Sequence, residues 1–313
     1  MSLRTFQNNA VDVKDVWTGT VAGTWTASTD TATITINGKS LVVTIGSLVT
    51  TAQVAVTVKE AFASASSFTD TTASCIPQGG GQSIPEMAKY LATVSGSVVT
   101  LTERVAGRPG TITMTESTTS TGTLTAANSV PATGKYFGDN VKNWLEGSLP
   151  VDGDDIVVNG PYKWLYGMGF SAVQPASITF GERCTGVTQV GLPWENAAGY
   201  AEYRTPELAI GPLIVNVRGP VGLVKLNLGS DPCTANIYSS GTSLDTGYAP
   251  IQIRGTNATP LNTINAFGGN TSFAARGETA VLLAGRQSGS GRLTIGNNVT
   301  FTTISGTVTV VAD

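Results

Sequence analysis

The chain has 313 residues and a formal net charge of −3; it is 41% hydrophobic but only 12% charged, about half of the usual charged fraction of roughly 25%. Thr, Ser, Gly and Asn replace the charge, which favours a sheet-rich protein whose surface meets a partner and argues against a nucleic-acid binder, since that class needs a basic patch. The chain has no histidine, which excludes Ser-His-Asp and Cys-His catalysis and His-ligated zinc.

The first half of the chain predicts a small α+β module. Residues 31–36 alternate with period two, Asn37-Gly38 is a type I′ hairpin signal, and residues 40–45 form the return strand. A helix is predicted over residues 51–64, capped by Thr50 or Thr51, because Val54, Val58, Ala61 and Phe62 repeat on one face. With a second meander, whose strands are predicted at 89–94, 98–103 and 111–115, the order β-β-α-β-β-β follows for residues 17–125. An N-terminal arm is predicted over residues 1–16, and this polar lead-in forms either an exposed arm or a first edge strand.

Residues 126–142 are predicted to be a linker, because they are rich in small polar residues and poor in large apolar ones. A capping stretch follows, in which Trp144, a turn at 147–150 and an acidic turn at 152–155 lead into an apolar strand. Short strands then recur between turn residues, which predicts a mainly β domain over residues 143–313, either a β-solenoid (β-helix) or a jelly-roll-like β-sandwich. These strands are expected at 177–180, 208–210, 213–217, 221–228, 236–238, 251–254, 263–266, 281–284, 293–295, 299–304 and 307–311.

Both halves carry patterns that resemble uncharacterised bacteriophage and prophage virion structural proteins. In the first half the resemblance lies in the Asn37-Gly38 hairpin, the helix and the meander with its Gly107-Arg108-Pro109-Gly110 turn. It covers most of residues 17–300 and implies a virion-associated β-protein, and the start of the second half also resembles the opening coil of β-helix adhesins and tailspikes, which are commonly trimers. In the second half the resemblance lies in Asn143-Trp144, Gly147, Leu149-Pro150, 152–158, 165–168, 191–193, 199–200, 202–204 and 256–258.

Asp152, Asp154 and Asp155 are oxygen donors of the kind that bind Ca²⁺. The further ligands of an EF-hand loop, including its Glu at the twelfth position, are missing from the sequence. A tight turn with Gly153 at positive φ and Asp side chains bonded to local amides is therefore favoured over a metal site.

The most loop-like aromatic cluster is predicted to be a binding surface. A subunit interface, which is rich in Tyr, Trp and Arg, is favoured over carbohydrate contact and over catalysis by paired carboxylates. The carboxylates open to glycosidase chemistry are Glu182, Glu195, Glu202 and Glu207. The residues of the candidate interface or glycan contact are Trp194, Glu195, Tyr200, Glu202, Tyr203 and Arg204.

Cys75, Cys184 and Cys233 lie far apart and form no Cys-x-x-Cys motif, so neither a redox motif nor a thiolate metal site is supported. Buried free thiols are expected, because a lone cysteine usually behaves as a small core hydrophobe. A Cys184–Cys233 disulfide is the alternative if neighbouring strands bring the two together.

The sequence therefore predicts a non-enzymatic virion structural protein without catalytic residues, metal or cofactor. It would act as a capsid decoration protein, head fibre or tail fibre. It would form a homotrimer that binds other virion proteins, such as the major capsid protein or tail proteins, and neither nucleic acid nor membrane. A tailspike or adhesin that binds or cleaves host glycans is the alternative, while a cell-surface adhesin is disfavoured because no signal sequence and no apolar run of membrane-spanning length is visible.

Overall fold

The computed structural model describes residues 2–47, 50–66, 86–167, 173–193, 207–227, 233–239, 241–245, 250–255, 263–266, 272–277, 291–295 and 308–312, with side chains through Ile253 apart from 64–66. The protein is mainly β and divides into two compact units. Unit 1 comprises Met1–Ala10 and Lys135–Asp313, and unit 2 comprises Val11–Gly134.

The described elements are twenty-one strands, one α-helix and two single-turn 3₁₀ helices at Met87–Lys89 and Val141–Asn143. In chain order they are β1 (Leu3–Phe6), β2 (Val16–Ala22), β3 (Thr31–Ile36), β4 (Lys39–Thr44), α1 (Thr51–Ser66), β5 (Tyr90–Ser95), β6 (Val98–Glu103), β7 (Ile112–Ser117), β8 (Thr123–Val130), β9 (Asp155–Val158), β10 (Lys163–Trp164), β11 (Ser177–Phe180), β12 (Gln189–Val190), β13 (Leu208–Ala209), β14 (Ile214–Val217), β15 (Leu223–Asn227), β16 (Thr234–Ile237), β17 (Ile251–Gly255), β18 (Thr263–Ala266), β19 (Ser272–Gly277), β20 (Gly291–Ile295) and β21 (Val308–Ala312).

Unit 2 is built from two antiparallel sheets and α1, which share one hydrophobic core. The four-stranded sheet has the order β5-β6-β2-β8, and the three-stranded sheet has the order β4-β3-β7. The predicted hairpin joins β3 to β4, and Asn37 and Gly38 both have positive φ, as a type I′ turn requires.

Helix α1 begins at a reciprocal cap and buries the predicted face. The Gln53 amide donates to Thr50 Oγ1 over 3.4 Å, and the Thr50 amide donates to Gln53 Oε1 over 3.2 Å, which is a capping box. The apolar face packs against the sheets because its residues recur every three or four positions. Val54, Val58, Ala61 and Phe62 are all fully buried.

Two predicted boundaries differ from the structure. The N-terminal arm predicted over residues 1–16 contains β1, which pairs with β9 in unit 1, and the beginning of β2. The linker predicted over 126–142 contains most of β8, which pairs with β2 along its whole length. Both segments are too polar to show a strong apolar pattern, and backbone hydrogen bonds to a distant strand determine their conformation.

Unit 1 consists of two sheets whose described ladders are all parallel. The first sheet has the order β1-β9-β11-β14-β16-β18, and the second has the order β10-β12-β15-β17-β19-β20-β21, with β13 paired to β15. These parallel ladders differ from a jelly roll, which is antiparallel. The mainly β expectation is confirmed.

Alternate residues of the first sheet point into the core of unit 1. Ile156, Ile178, Val215 and Ala235 are aligned in register on successive strands, and each is at most 1% exposed. A second inward row contains Phe6, Val158, Phe180, Val217 and Ile237, all of them buried. Because the parallel register aligns apolar residues of successive strands, each row of side chains forms a continuous apolar column.

Candidate functional site: the N-terminal strand and its slot

Strand β1 lies between two segments that come late in the chain. On one edge it forms a parallel ladder with β9, from Leu3 opposite Asp155 to Phe6 opposite Val158. On the other edge it meets residues 143–147 in antiparallel fashion. We call the site formed by residues 143–147, Asp154, β9 and Trp164 the strand slot.

Backbone hydrogen bonds close the second edge of β1. The Leu145 amide donates to the Thr5 carbonyl over 2.9 Å, and the Gln7 amide donates to the Asn143 carbonyl over 2.6 Å. The Glu146 carboxylate accepts from the Thr5 amide over 2.8 Å. The strand is therefore paired on both edges, as a strand in the middle of a sheet is.

Asp154 anchors the start of β1 with an ion pair. Arg4 Nε lies 2.9 Å from Asp154 Oδ2, and the Ser2 amide donates to Oδ1 over 3.0 Å. Burial acts to raise the pKa of Asp154, but the hydrogen bonds from Arg4, Ser2 and Val151 and the Arg4 charge outweigh it and leave that pKa below its ordinary value. The Arg4 guanidinium also donates to Ser148 Oγ.

Phe6 anchors the other end of β1 in an aromatic cluster. Its ring stacks on Trp164 at a centroid distance of 5.3 Å and meets Trp144 edge-on at 5.2 Å. The two tryptophan rings pack against each other at 5.5 Å. Trp144 Nε1 donates to the Gly138 carbonyl over 2.7 Å, so the polar atom of this buried ring is bonded. Trp144 and Trp164 are therefore packing residues of this cluster.

Two asparagines hold the chain that follows β1. Asn8 donates to the carbonyls of Lys135 and Lys163 over 2.6 and 2.9 Å and accepts from the Lys163 amide over 2.8 Å. Asn143 is fully buried; it accepts from the Ala10 amide over 2.9 Å and donates to the Phe137 carbonyl over 2.8 Å. Residues 2–10 are thus bound through backbone, charge and aromatic contacts together.

The acidic turn serves as a connector between strands. Gly153 has the expected positive φ of 76°. Asp152 accepts from the Gln174 amide over 2.7 Å, and Asp155 accepts from Ser177 Oγ over 2.6 Å, so each carboxylate of the turn binds a different protein donor. Among the described residues, no group of three or more His, Cys, Asp or Glu could hold a metal ion.

The predicted aromatic cluster lies outside the described residues, so its role as an interface or glycan contact stays a prediction. This holds for Trp194, Glu195, Tyr200, Glu202, Tyr203 and Arg204. Of the carboxylates considered for glycosidase chemistry, Glu182 is exposed and Glu207 is buried, while Glu195 and Glu202 belong to that cluster.

A buried ion pair lies in the second sheet of unit 1. Lys225 Nζ is 2.8 Å from Asp245 Oδ2, and the two side chains are 1% and 0% exposed. Gln252 Nε2 donates to the same oxygen over 2.8 Å. In the sequence, the signal for this cluster is a lysine between two apolar residues, Lys225 between Val224 and Leu226 in β15.

Asp15 is the corresponding polar centre of unit 2. It is 1% exposed and accepts five hydrogen bonds, which join strands that are distant in sequence. Glu103, which accepts from the amides of Asp15 and Arg108, has its pKa raised by burial, against the effect of those hydrogen bonds. The donors to Asp15 are Trp17 Nε1 (2.7 Å), Tyr90 OH (3.1 Å), Asn128 Nδ2 (3.0 Å) and the amides of Gly110 (3.4 Å) and Ala132 (3.2 Å).

Cys184 and Cys233 are buried free thiols, and no disulfide joins them. Burial raises the pKa of Cys184, and it raises the pKa of Cys233 to about 12. Because the thiolate is the reactive form, a raised pKa lowers the reactivity of both thiols at neutral pH. Cys75 lies outside the described residues.

What the strand slot can do is bind an extended segment. Its chemistry comprises backbone pairing, a carboxylate for a cation and an aromatic pocket, which are the elements of β-strand addition.

Within the described residues, no helix is long and apolar enough to cross a membrane. No protein-family model matches the chain, and no curated protein sequence matches it.

Proposed function

We propose that this chain is a non-enzymatic structural protein of a bacteriophage virion. It would serve as a capsid decoration protein, a head fibre or a tail fibre, with unit 1 forming a β-solenoid rod and unit 2 supporting attachment to the particle. The observation that carries the proposal is the long series of parallel, in-register strands in unit 1, which is suited to a load-bearing rod.

The order of the strands supports the solenoid. From β9 to β19, and apart from the two-residue β13, the chain alternates between the first sheet and the second. Each strand also pairs in parallel with the strand of the same sheet one circuit away, as when Ile178 lies opposite Ile156 and Val215 lies opposite Ile178. A chain that coils through two sheets in turn has this connectivity.

An amide ladder on the outward side of the first sheet supports mechanical stability. Asn236 Nδ2 donates to Asn216 Oδ1 over 3.0 Å, and Asn216 Nδ2 donates to Thr179 Oγ1 over 3.3 Å. The register continues to Asn265 on β18. Stacked side-chain amides add hydrogen bonds parallel to the backbone ladder, as they do in other stacked β structures.

Assembly would proceed through β-rich contacts between copies. A homotrimer is the proposed state, with the major capsid protein or a tail protein as the partner and the virion as the location. The low charge of the chain suits such contacts, because the centres of interfaces are depleted in charged residues.

The test is to purify particles of the phage that encodes the chain and to measure its copy number by mass spectrometry. The proposal expects a fixed copy number per particle, and immunogold labelling of unit 1 at the head surface or on the tail. Purified particles in which no copies of the chain are found would contradict it. A labelled host-cell protein fraction, carried through the same purification, controls for adhering contaminants.

A further inference from the structure

Strand β1 is held the way a bound peptide is held. Its described contacts are all with residues that follow it by more than 130 positions: the β9 ladder, the 143–147 edge, the Asp154 carboxylate and the Trp144–Trp164 pocket. The whole of unit 2, Val11–Gly134, lies between the strand and its site in sequence. The slot therefore binds a short extended segment through contacts with that segment alone, and unit 2 is not part of the slot.

The recognised segment has a defined chemistry. Arg4 supplies a cation to Asp154, and two positions later Phe6 supplies a ring to the tryptophan pair. In a strand these two side chains lie on the same face, while Leu3 and Thr5 point the other way. Residues 2–8 of any copy of this chain carry the same pattern.

The connection between the strand and unit 2 is short. The Ala10 amide is bonded within unit 1, to Asn143, and Val13 is bonded within unit 2, to Thr133. Only Val11 and Asp12 separate these two anchored positions, and Val11 is 80% exposed. Short hinges are the usual setting for strand exchange, because turning the hinge outward lets an identical element of another copy take its place.

We propose that the strand slot accepts residues 2–8 of a second copy, so that neighbouring chains in the assembled protein are joined by exchanged β1 strands. The exchanged and the self-contained forms make the same contacts in the slot. The balance between them is therefore set by the hinge and by the local concentration of chains, which is high in an assembly. This inference stands on the contacts of β1 and does not require the chain to be part of a virion.

A cross-linking experiment tests the exchange. One chain carries Thr5→Cys and the other carries Val157→Cys, which are opposite each other on the outward side of the ladder. Both are made in a Cys75→Ser background, in which the two remaining native cysteines, Cys184 and Cys233, are buried. The two chains carry different tags, are co-expressed, and are treated with a short bis-maleimide.

A covalent heterodimer with twice the 32.2 kDa chain mass is the result expected from exchange. The matched control pairs Thr5→Cys with Asn236→Cys, which lies in the same outward row but four strands away, about 19 Å at the spacing of strands in a sheet. Exchange predicts much less heterodimer with this pair. If the Thr5→Cys, Val157→Cys double variant links only within its own chain and the mixed chains yield no more heterodimer than the control, the proposal is overturned.

A charge-reversal pair provides a second, independent readout. Arg4→Asp alone and Asp154→Arg alone each place like charges together in the slot, so each chain is expected to lose thermal stability or to fail to fold. After co-expression, exchange restores an opposite-charge pair in both slots. Recovery of the wild-type melting temperature in the mixture supports exchange, and a mixture that melts as the sum of its single variants refutes it. The double variant in one chain shows whether the reversed pair is tolerated.

Discussion

The buried pair of Lys225 and Asp245 gives the sharpest prediction about the stability of unit 1. The two side chains are 1% and 0% exposed, and Nζ lies 2.8 Å from Oδ2. Replacing Lys225 with Met leaves the Asp245 carboxylate buried without its cation, and removing one partner of a buried ion pair costs about 3–5 kcal/mol. Asp245→Asn should cost a similar amount, because it leaves the ammonium group uncompensated.

The double variant separates this charge effect from packing. Lys225→Met together with Asp245→Leu removes both charges, and such replacements are often neutral or stabilising by about 1–4 kcal/mol. The two single losses should therefore not add. Gln252 donates to the same Asp245 oxygen and loses that acceptor in the double variant. A triple variant that also carries Gln252→Met removes this loss.

The assay is urea unfolding followed by hydrogen exchange and mass spectrometry of peptides from β15 and β17, which isolates unit 1 from unit 2. A loss of protection at lower urea in each single variant and near-recovery in the double variant are expected. A cost below about 1 kcal/mol for both single variants, the size measured for exposed pairs, would refute the reasoning.

Three further predictions concern β1 and the core of unit 2. Phe6→Ala should destabilise unit 1 by about 3–5 kcal/mol, the usual loss for a buried Phe. Leu3→Ala, at a 54% exposed position, should change the stability of unit 1 little. Equal urea unfolding midpoints for the two variants would contradict this. Asp154 has a lowered pKa, so its contribution to stability is complete above its unfolded-state pKa near 3.8 and is lost as pH falls through the lower folded value. On the acid side, the melting temperature of Asp154→Asn should therefore fall less steeply with decreasing pH than that of the wild type. An unchanged slope would count against the pairing of Asp154 with Arg4. Asp15→Asn places an amide NH2 group, itself a donor, among groups that donate to Asp15, and it should destabilise unit 2 by about 1–3 kcal/mol. This loss is measured as a lower temperature of the thermal transition of unit 2, and an unchanged transition would contradict it.

Local patterns were sufficient to predict most elements of unit 2. The Asn37-Gly38 turn sits between two alternating strands, and the capped helix buries the face that its spacing indicated. These features depend on residues close in sequence, whose preferences add up within a short window. Strand β8 was missed because only Leu124 and Ala126 mark its inner face, and its pairing with β2 supplies the rest.

Unit 1 was harder to predict because its order comes from stacking. Aligned residues of the first sheet, such as Ile156, Ile178, Val215 and Ala235, are separated by 22, 37 and 20 positions, so no fixed repeat is visible in the sequence. Most of its strands are found at predicted places, including 177–180 and 263–266.

The strand slot itself could not be read from the sequence. Residues 3–6 are four residues in a polar lead-in, and nothing local indicates a partner strand 152 positions further along the chain. The sequence places Trp144 in the capping stretch, but Phe6 and Trp164, which complete the cluster, are brought to it only by the fold.

Residues 3–6 form the first strand of unit 1 and are not a free arm. Hydrogen exchange measures this directly, because Leu3–Phe6 and Asp155–Val158 form one ladder and should share its protection. The expected result is that peptides from both segments exchange on the same slow timescale and lose protection together in denaturant. Exchange of residues 3–7 at the rate of an unstructured chain, while β9 stays protected, would contradict the account.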